Sequence, residues 1–295
     1  MAKKDLCLVT GGAGFIGSHV VDGLLKEGHP VRVLDNLSTG KKQNLDGMKG
    51  RLDFQKGDFR SDSDVRKAVR NVKFIFHLGA NRAVLRSVDN PMETNEVNVT
   101  GTLRLLVAAR DAKVSRFIFS SSSSVYGNTH KFPSLEDDKP APESPYAASK
   151  IMGEYYCRQF TALYGLETVS LRYFNVFGPR QNPESVYSAV IPIFIDCLLK
   201  KKAPEIHWDG KQSRDFSYVD NVAHGNIQAM KAPKSVAGEV FNIACHEEYS
   251  VLDIFYALEE NLGVKGVKPN FKPKRAGDVR RTFADINKAK KLLTL

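Results

Sequence analysis

Cysteine is scarce in this chain. Cys7, Cys157, Cys197 and Cys245 are the four among 295 residues, and they form no C-x-x-C pair. That spacing excludes a disulfide framework or thiolate metal centre, and it predicts free thiols in a reducing cytosol, hence a cytoplasmic protein. No apolar run approaches the roughly 20 residues of a membrane span, and the Met1-Ala-Lys-Lys-Asp5 start leads directly into an apolar segment. No membrane partner and no cleaved leader is expected. Internal repeats and low-complexity segments are missing as well. Basic residues outnumber acidic ones 43 to 33, for a formal charge of +10. The lysines fall in short runs (Lys41-Lys42, Lys200 to Lys202, Lys288 to Lys291) without interleaved aromatics. This pattern excludes a nucleic-acid partner and suits attraction of an anionic small molecule.

What the chain does contain is an alternation of short apolar runs and helical patterns. Leu6 to Thr10, Val31 to Asp35, Leu52 to Gln55, Phe74 to His77 and Arg116 to Ser120 read as buried strands. Helices are expected near Gly14 to Lys26, Asp62 to Val72, Thr94 to Asp111 and Pro145 to Leu163, with a further strand from Glu167 to Arg172. Strand–helix alternation of this kind predicts an α/β, doubly wound parallel sheet. After about residue 175 proline and polar loops intervene. A helix near Val190 to Lys200, a hairpin-like segment from Glu205 to Gly210, a returning strand from Val240 to Ile243 and an outer helix from Val251 to Leu262 follow. The second lobe is therefore expected to be smaller, α/β, and interleaved with the first.

The segment Thr10-Gly11-Gly12-Ala13-Gly14-Phe15-Ile16-Gly17 follows the first strand and opens a helix. Its G-x-x-G-x-x-G spacing allows a tight turn and close backbone approach to a pyrophosphate, at a helix end that favours anions. Asp35 closes the second strand, where a carboxylate accepts both ribose hydroxyls of an adenosine and repels a 2′-phosphate. NAD is therefore the expected cofactor in preference to NADP. Asn36, Ser38, Thr39 and Gly40 add small polar groups there, and Asp58, beside Phe59, is placed to bond the adenine amino group or to cap a turn.

Tyr146 and Lys150 stand four residues apart in an expected helix and so share one face. An ammonium beside a phenol favours the phenolate, which makes a base usable near neutral pH for taking a proton from an alcohol. Ser122, in the run Ser120 to Ser124 at a strand end, can bond the same substrate oxygen. The plainer reading of that run is a turn or cap cluster.

The glycine loop, Asp35-Asn-Leu-Ser-Thr-Gly40, Ser120-Ser-Ser-Ser-Ser-Val-Tyr-Gly127, Ser144-Pro-Tyr-Ala-Ala-Ser-Lys150 and Leu171-Arg-Tyr-Phe-Asn-Val-Phe-Gly178 together resemble the extended short-chain dehydrogenase/reductases, and among them the nucleotide-sugar 4-epimerases. Gln212 to Val219 and Arg275 to Arg280 extend the resemblance almost end to end. It implies a Rossmann-type NAD-binding domain (1–174 plus about 217–244) and a nucleotide-sugar-binding lobe (about 175–216 and 245–295). It implies Ser122, Tyr146 and Lys150 as the catalytic set. Gly11, Gly14, Phe15, Ile16, Gly17, Ala80, Asn98, Ser120 and Phe174 fall where the family lines its cofactor site, together with Tyr146 and Lys150. Asn175, Val190, His207, Arg214, Arg275 and Asp278 match positions around a UDP-sugar, with Ser122 and Tyr146 on the sugar. A homodimer through the helices at Thr94 to Asp111 and Pro145 to Leu163 is implied as well.

Related 4,6-dehydratases and decarboxylases carry an acid beside the catalytic hydroxyl; here Ser123 and Ser124 occupy those places. Redox-silent dinucleotide sensors of this family usually lose the tyrosine or lysine, and both are present. The family's residue seven beyond the Arg275 site flanks the sugar C2 substituent. Thr282 stands there and is small enough to admit an N-acetyl group beside plain hexoses. Arg82 instead favours a carboxylate-bearing sugar, so a UDP-uronate is the alternative substrate.

Overall fold

The structure, a computed structural model, describes residues 4–82, 84–182, 190–274 and 279–295. In chain order the elements are β1 (Cys7–Thr10), α1 (Phe15–Lys26), β2 (Val31–Asp35), β3 (Leu52–Lys56), α2 (Asp62–Ala68), β4 (Phe74–His77), α3 (Val84–Asp89), α4 (Pro91–Asn95), α5 (Gly101–Asp111), β5 (Arg116–Ser122), α6 (Pro145–Tyr164) and β6 (Glu167–Tyr173). There follow β7 (Val176–Phe177), α7 (Val190–Leu199), β8 (Glu205–His207), β9 (Ser213–Arg214), β10 (Ser217–Tyr218), α8 (Val219–Lys231), β11 (Val240–Ile243), β12 (Tyr249–Ser250), α9 (Val251–Asn261), β13 (Asn270–Lys272), β14 (Arg281–Thr282) and α10 (Asn287–Leu293).

Seven parallel strands form one sheet in the order β11-β6-β5-β4-β1-β2-β3. Successive side chains of a strand point to opposite faces, so a strand apolar at every position must be covered on both. Strand β1 shows this. Cys7 and Val9 pack with α1 and α8, whereas Leu8 packs with α2, α5 and α6. The fold is thus the Rossmann-type doubly wound sheet. In such sheets ligands gather where the strand order reverses, outside the carboxyl ends of the strands. Here the reversal lies between β1 and β4.

Two expectations need correction. The Glu205 to Gly210 segment is no hairpin: β8 pairs in parallel with β13, Glu205 opposite Asn270, while β9 pairs with β12 and β14. Sequence-distant strands satisfied the backbone that a local turn was expected to satisfy. The helix expected from Thr94 to Asp111 is also interrupted. Its first part is α4, capped by the Asn90 side chain with Pro91 at its start, and a π-helical turn at Glu96–Thr100 precedes α5. The four cysteines are free thiols, Cys7 and Cys157 buried. Among the described residues no helix is long and apolar enough to cross a membrane.

Candidate active site

A cavity of about 460 Å³ opens at the carboxyl ends of β1, β2 and β4. The glycines shape its floor. Gly11 has φ +69°, and a Cβ there would lie 2.7 Å from the Gly79 nitrogen; a Cβ on Gly17 would collide with the Gly11 carbonyl oxygen. Gly14 leads into α1 without a side-chain cap, so first-turn N–H groups stay available at a helix end that attracts anions. Asp35 is buried beside this turn. Its two carboxylate oxygens accept from the Ala13 nitrogen at 3.0 Å and the Leu37 nitrogen at 2.8 Å. Burial raises its pKa, and those two bonds oppose the rise. Asp58 differs: against burial, Arg60 and Asn36 hydrogen-bond it and hold its carboxyl at about 2.

Gly11, Gly14, Phe15, Ile16, Gly17, Asp35, Asn36, Ser38, Thr39, Gly40, Asp58, Phe59, Ala80 and Ser120 all line this cavity. Two other expected residues sit behind its wall. Asn98, inside the π-helical turn, accepts from the Asn81 nitrogen at 2.8 Å and donates to the Asn81 carbonyl at 2.9 Å and to Ser149 Oγ at 3.0 Å. It fixes the cavity loop to α6. Phe174 is buried against Tyr126 and the small core around Ile151. Sequence reasoning missed Asn44, Arg180 and Gln181, which also line the cavity. The Gly178-Pro-Arg180 turn after β7 is the one signal that could have flagged the latter two. There His19, on α1, makes bonds of 3.1 Å with the Pro179 carbonyl and 3.0 Å with Asp220.

At the end of β5, Ser122 lies beside Tyr146, close enough to lower the phenol's pKa. Ser122 also accepts from the Ser124 nitrogen at 3.2 Å, so it caps the following turn while facing the phenol. Lys150 is buried, donates to the Ser120 carbonyl at 2.8 Å, and lies 5.8 Å from the Tyr146 ring centre. Burial lowers the Lys150 pKa to about 8, with Glu154 opposing. The expected effect on the phenol is corrected. Burial pushes Tyr146 up from its ordinary value, and the groups that pull it down are Ser122 and Arg82, not Lys150. The ammonium is directed at the Ser120 carbonyl. Behind it, His77 is held between Thr10 at 2.7 Å and Thr102 at 2.9 Å and stays neutral, its pKa lowered to about 3 by burial and by Lys150.

A second cavity, about 240 Å³, is lined by Asn175, Val190, His207 and Arg214 together with Phe177 and Phe216. His207 donates from Nδ1 to the Pro273 carbonyl at 3.0 Å; its Nε2 and the nearby Gln212 Oε1 are buried without a hydrogen-bond partner. Thr282 does not line this cavity but donates to Asn175 Oδ1, which does, at 3.1 Å. Trp208, adjacent to His207, has φ +68° and lies 4.3 and 4.7 Å from Lys274 and Arg280. Arg275 and Asp278 lie outside the described residues. The two cavities adjoin through β5 and β6. Ser120 lines the first, and Ser122 pairs with Tyr173, two residues before Asn175 of the second.

The model of the NAD-dependent epimerase/dehydratase family matches residues 7–244. The chain belongs to this family. It is 39% identical over 291 residues to the UDP-glucose 4-epimerase of Mycolicibacterium smegmatis, covering 97% of this chain and 91% of that one. A UDP-N-acetylglucosamine 4-epimerase from Methanobrevibacter ruminantium, solved with UDP-N-acetylmuramic acid, superposes with a TM-score of 0.94 at 38% identity, covering 99% of this chain and 93% of that one. A UDP-glucuronic acid 4-epimerase from Bacillus cereus, solved with UDP-4-deoxy-4-fluoro-glucuronic acid and NAD, superposes with a TM-score of 0.90 at 35% identity, covering 98% and 93%. Family membership makes NAD the cofactor, and the first cavity fits it. The glycine turn is so close-packed that a Cβ on Gly11 or Gly17 would strike backbone and reshape the cavity floor, α1 offers an uncapped N-terminus, and Asp35 presents a carboxylate where NADP would carry a phosphate. Activity of the nucleotide-sugar epimerase/dehydratase type follows from that membership.

Proposed function

We propose that the protein is a UDP-hexose 4-epimerase, acting reversibly on UDP-glucose and UDP-galactose and also on their N-acetylated counterparts. The observation that carries this reading is the Ser122–Tyr146 pair with Ser123 and Ser124, not an acid, beside it. Elimination of water needs a proton donor at that point, and none is offered. Tyr146 takes the proton of the sugar 4-hydroxyl, and Ser122 holds the same oxygen. NAD, held by the glycine turn and Asp35, would supply a hydride acceptor for C4 and a hydride donor to the other face of the sugar. Lys150 fixes the Ser120 carbonyl and keeps a positive charge behind the tyrosine. Arg214 and His207 hold the nucleotide in the second cavity while the 4-keto sugar turns. Thr282, small and tied to Asn175, leaves room for an N-acetyl group at C2.

Incubating the purified protein with UDP-galactose, UDP-N-acetylgalactosamine and UDP-galacturonate, without added NAD, tests this by NMR detection of the 4-epimers. Turnover of the first two is expected. Turnover of the uronate alone would transfer the assignment to a UDP-glucuronate 4-epimerase, the reading that Arg82 at the cavity favours. Tyr146→Phe lowers kcat by roughly 10²- to 10⁴-fold, the usual contribution of a positioned acid–base group, and leaves bound NAD in place.

Exposed apolar side chains on α3, α4 and α6 support a homodimer. Val88 is 58% exposed, Met92 71%, Met152 41% and Tyr155 52%. A monomer leaves such side chains in water, whereas a second copy would cover them. Light scattering that returns the mass of one chain would overturn this.

A further inference from the structure

Tyr146 and Lys150 are followed, four residues on, by Glu154, so the three share one face of α6. Glu154 is buried and fully engaged. The Ser121 hydroxyl donates to its Oε1, and Arg172 donates from Nε to Oε1 at 2.9 Å and from Nη2 to Oε2 at 2.8 Å. Arg172 is itself buried, donating from Nη1 to the Glu136 carbonyl at 3.1 Å, with its guanidinium 4.7 Å from the Tyr126 ring. One residue earlier, Gly153 lets the helix press on β5, since a Cβ there would collide with the Phe119 ring. Phe119 and Ser121 point to the α6 side of β5. Glu154 therefore grips β5 at the residue between Ser120, whose carbonyl accepts from Lys150, and Ser122, which lies beside Tyr146.

A buried ion pair often contributes less stability than apolar residues of the same volume. Its place beside the reactive pair suggests another role. We propose that Glu154 is a positioning residue of the reaction: shared between Arg172 and Ser121, it locks α6 to β5 and supplies the counter-charge that keeps the buried Lys150 as an ammonium. This rests on the roles assigned above to Tyr146 and Lys150. The charged or titratable groups on the elements around Lys150 are Tyr146 on its own helix, neutral His77 on β4, Tyr173 and Arg172 on β6, the Arg116–Glu167 pair at the far ends of β5 and β6, Arg82 in the loop after β4, the Arg86–Glu93 pair of α3 and α4, and Glu96 in the π-helical turn. Of these and Glu154, it is Glu154 that pushes the Lys150 pKa back up against burial.

Glu154→Gln removes the charge and keeps the shape. The alkaline limb of kcat is then expected to move down by about one pH unit, a typical effect of one nearby opposite charge. That means a roughly fivefold lower kcat at pH 8, approaching about tenfold at higher pH, with KM and bound NAD unchanged. Glu154→Asp keeps the charge and returns the limb to its place even if kcat falls. Because Gln strands Arg172, the double variant Glu154→Gln/Arg172→Met provides a second arm in which the buried guanidinium is removed along with its partner, and the limb stays displaced. The pH titration of the Lys150 ammonium ¹⁵N resonance reads the same shift without turnover. A wild-type limb and titration in the folded Gln variant or in the double variant overturns the proposal, as does an Asp variant displaced as far as Gln. If Tyr146→Phe retains full turnover, the underlying assignment of the base fails instead, and the Lys150 titration still decides the role of Glu154.

Discussion

The two cavities adjoin at the ends of β5 and β6 but are made of different material. The first is built around a glycine turn, strand ends and an uncapped helix start in the opening 40 residues, closed by the loops after β3, β4 and β7 and by single residues of α3, α4, the π-helical turn and β5. The second is walled by side chains from β7, α7, β8 and β9, brought together from residues 175 to 251. The first presents a carboxylate already held by neighbours, Asp35 between two N–H groups, and one buried donor without a partner, Asn81 Nδ2. The second keeps buried acceptors without partners, His207 Nε2 and Gln212 Oε1. A wall of backbone holds one ligand shape and tolerates little change. A wall of side chains can be retuned one residue at a time, and this is where relatives that act on different sugars can diverge.

That contrast can be broken most forcefully at Gly17. Gly17→Ala forces a Cβ into the Gly11 carbonyl, which is expected to expel NAD and to cost about 1–3 kcal/mol of stability, as overpacking does. Dinucleotide released by acid and a thermal melt measure both effects, and stoichiometric NAD in this variant would refute the backbone-wall account. A more selective change is Thr282→Tyr at the second cavity. It should abolish turnover of N-acetylated sugars, by about 100-fold or more, while plain hexoses lose no more than a few-fold, since one side chain's bulk in a pocket discriminates on this scale. Equal losses on both classes would mean that Thr282 does not face C2.

Asp35→Asn is the gentlest probe. Burial raises the Asp35 pKa, so the folded state favours the protonated form, and the ionised form costs stability as pH rises from the unfolded value through the folded one. At pH 7 the NAD-free variant escapes that cost, but its single amide oxygen accepts from only one of the two N–H groups, so its melting temperature is expected to stay close to the parent's while its preference for NAD over NADP narrows. A marked drop in melting temperature would show that the carboxylate stabilises the turn.

The same difference in material explains what could be read without coordinates. The strand–turn–helix with G-x-x-G-x-x-G and Asp35 is local, so its chemistry is written in consecutive residues. Tyr146 and Lys150 were legible because helical spacing alone puts them on one face. The influence on the phenol was not, because Arg82 and Ser122 reach Tyr146 only through the folded loop and strand end. Asn98 was placed on the cavity wall but works behind it, since the π-helical turn redirects its side chain to Asn81 and Ser149. The parallel pairing of β8 with β13 joins residues more than 60 positions apart, and nothing in either short segment announces the other.

Trp208 is the chain's single tryptophan, and it sits next to His207 in a left-handed conformation with two cations near its ring. Its emission is consequently a one-site optical signal from the edge of the second cavity. Anything that displaces Lys274 or Arg280 from the indole alters that emission, whereas events confined to the glycine turn leave it unchanged. The protein thus carries its own fluorophore, and a stopped-flow trace can time nucleotide-sugar entry separately from the chemistry.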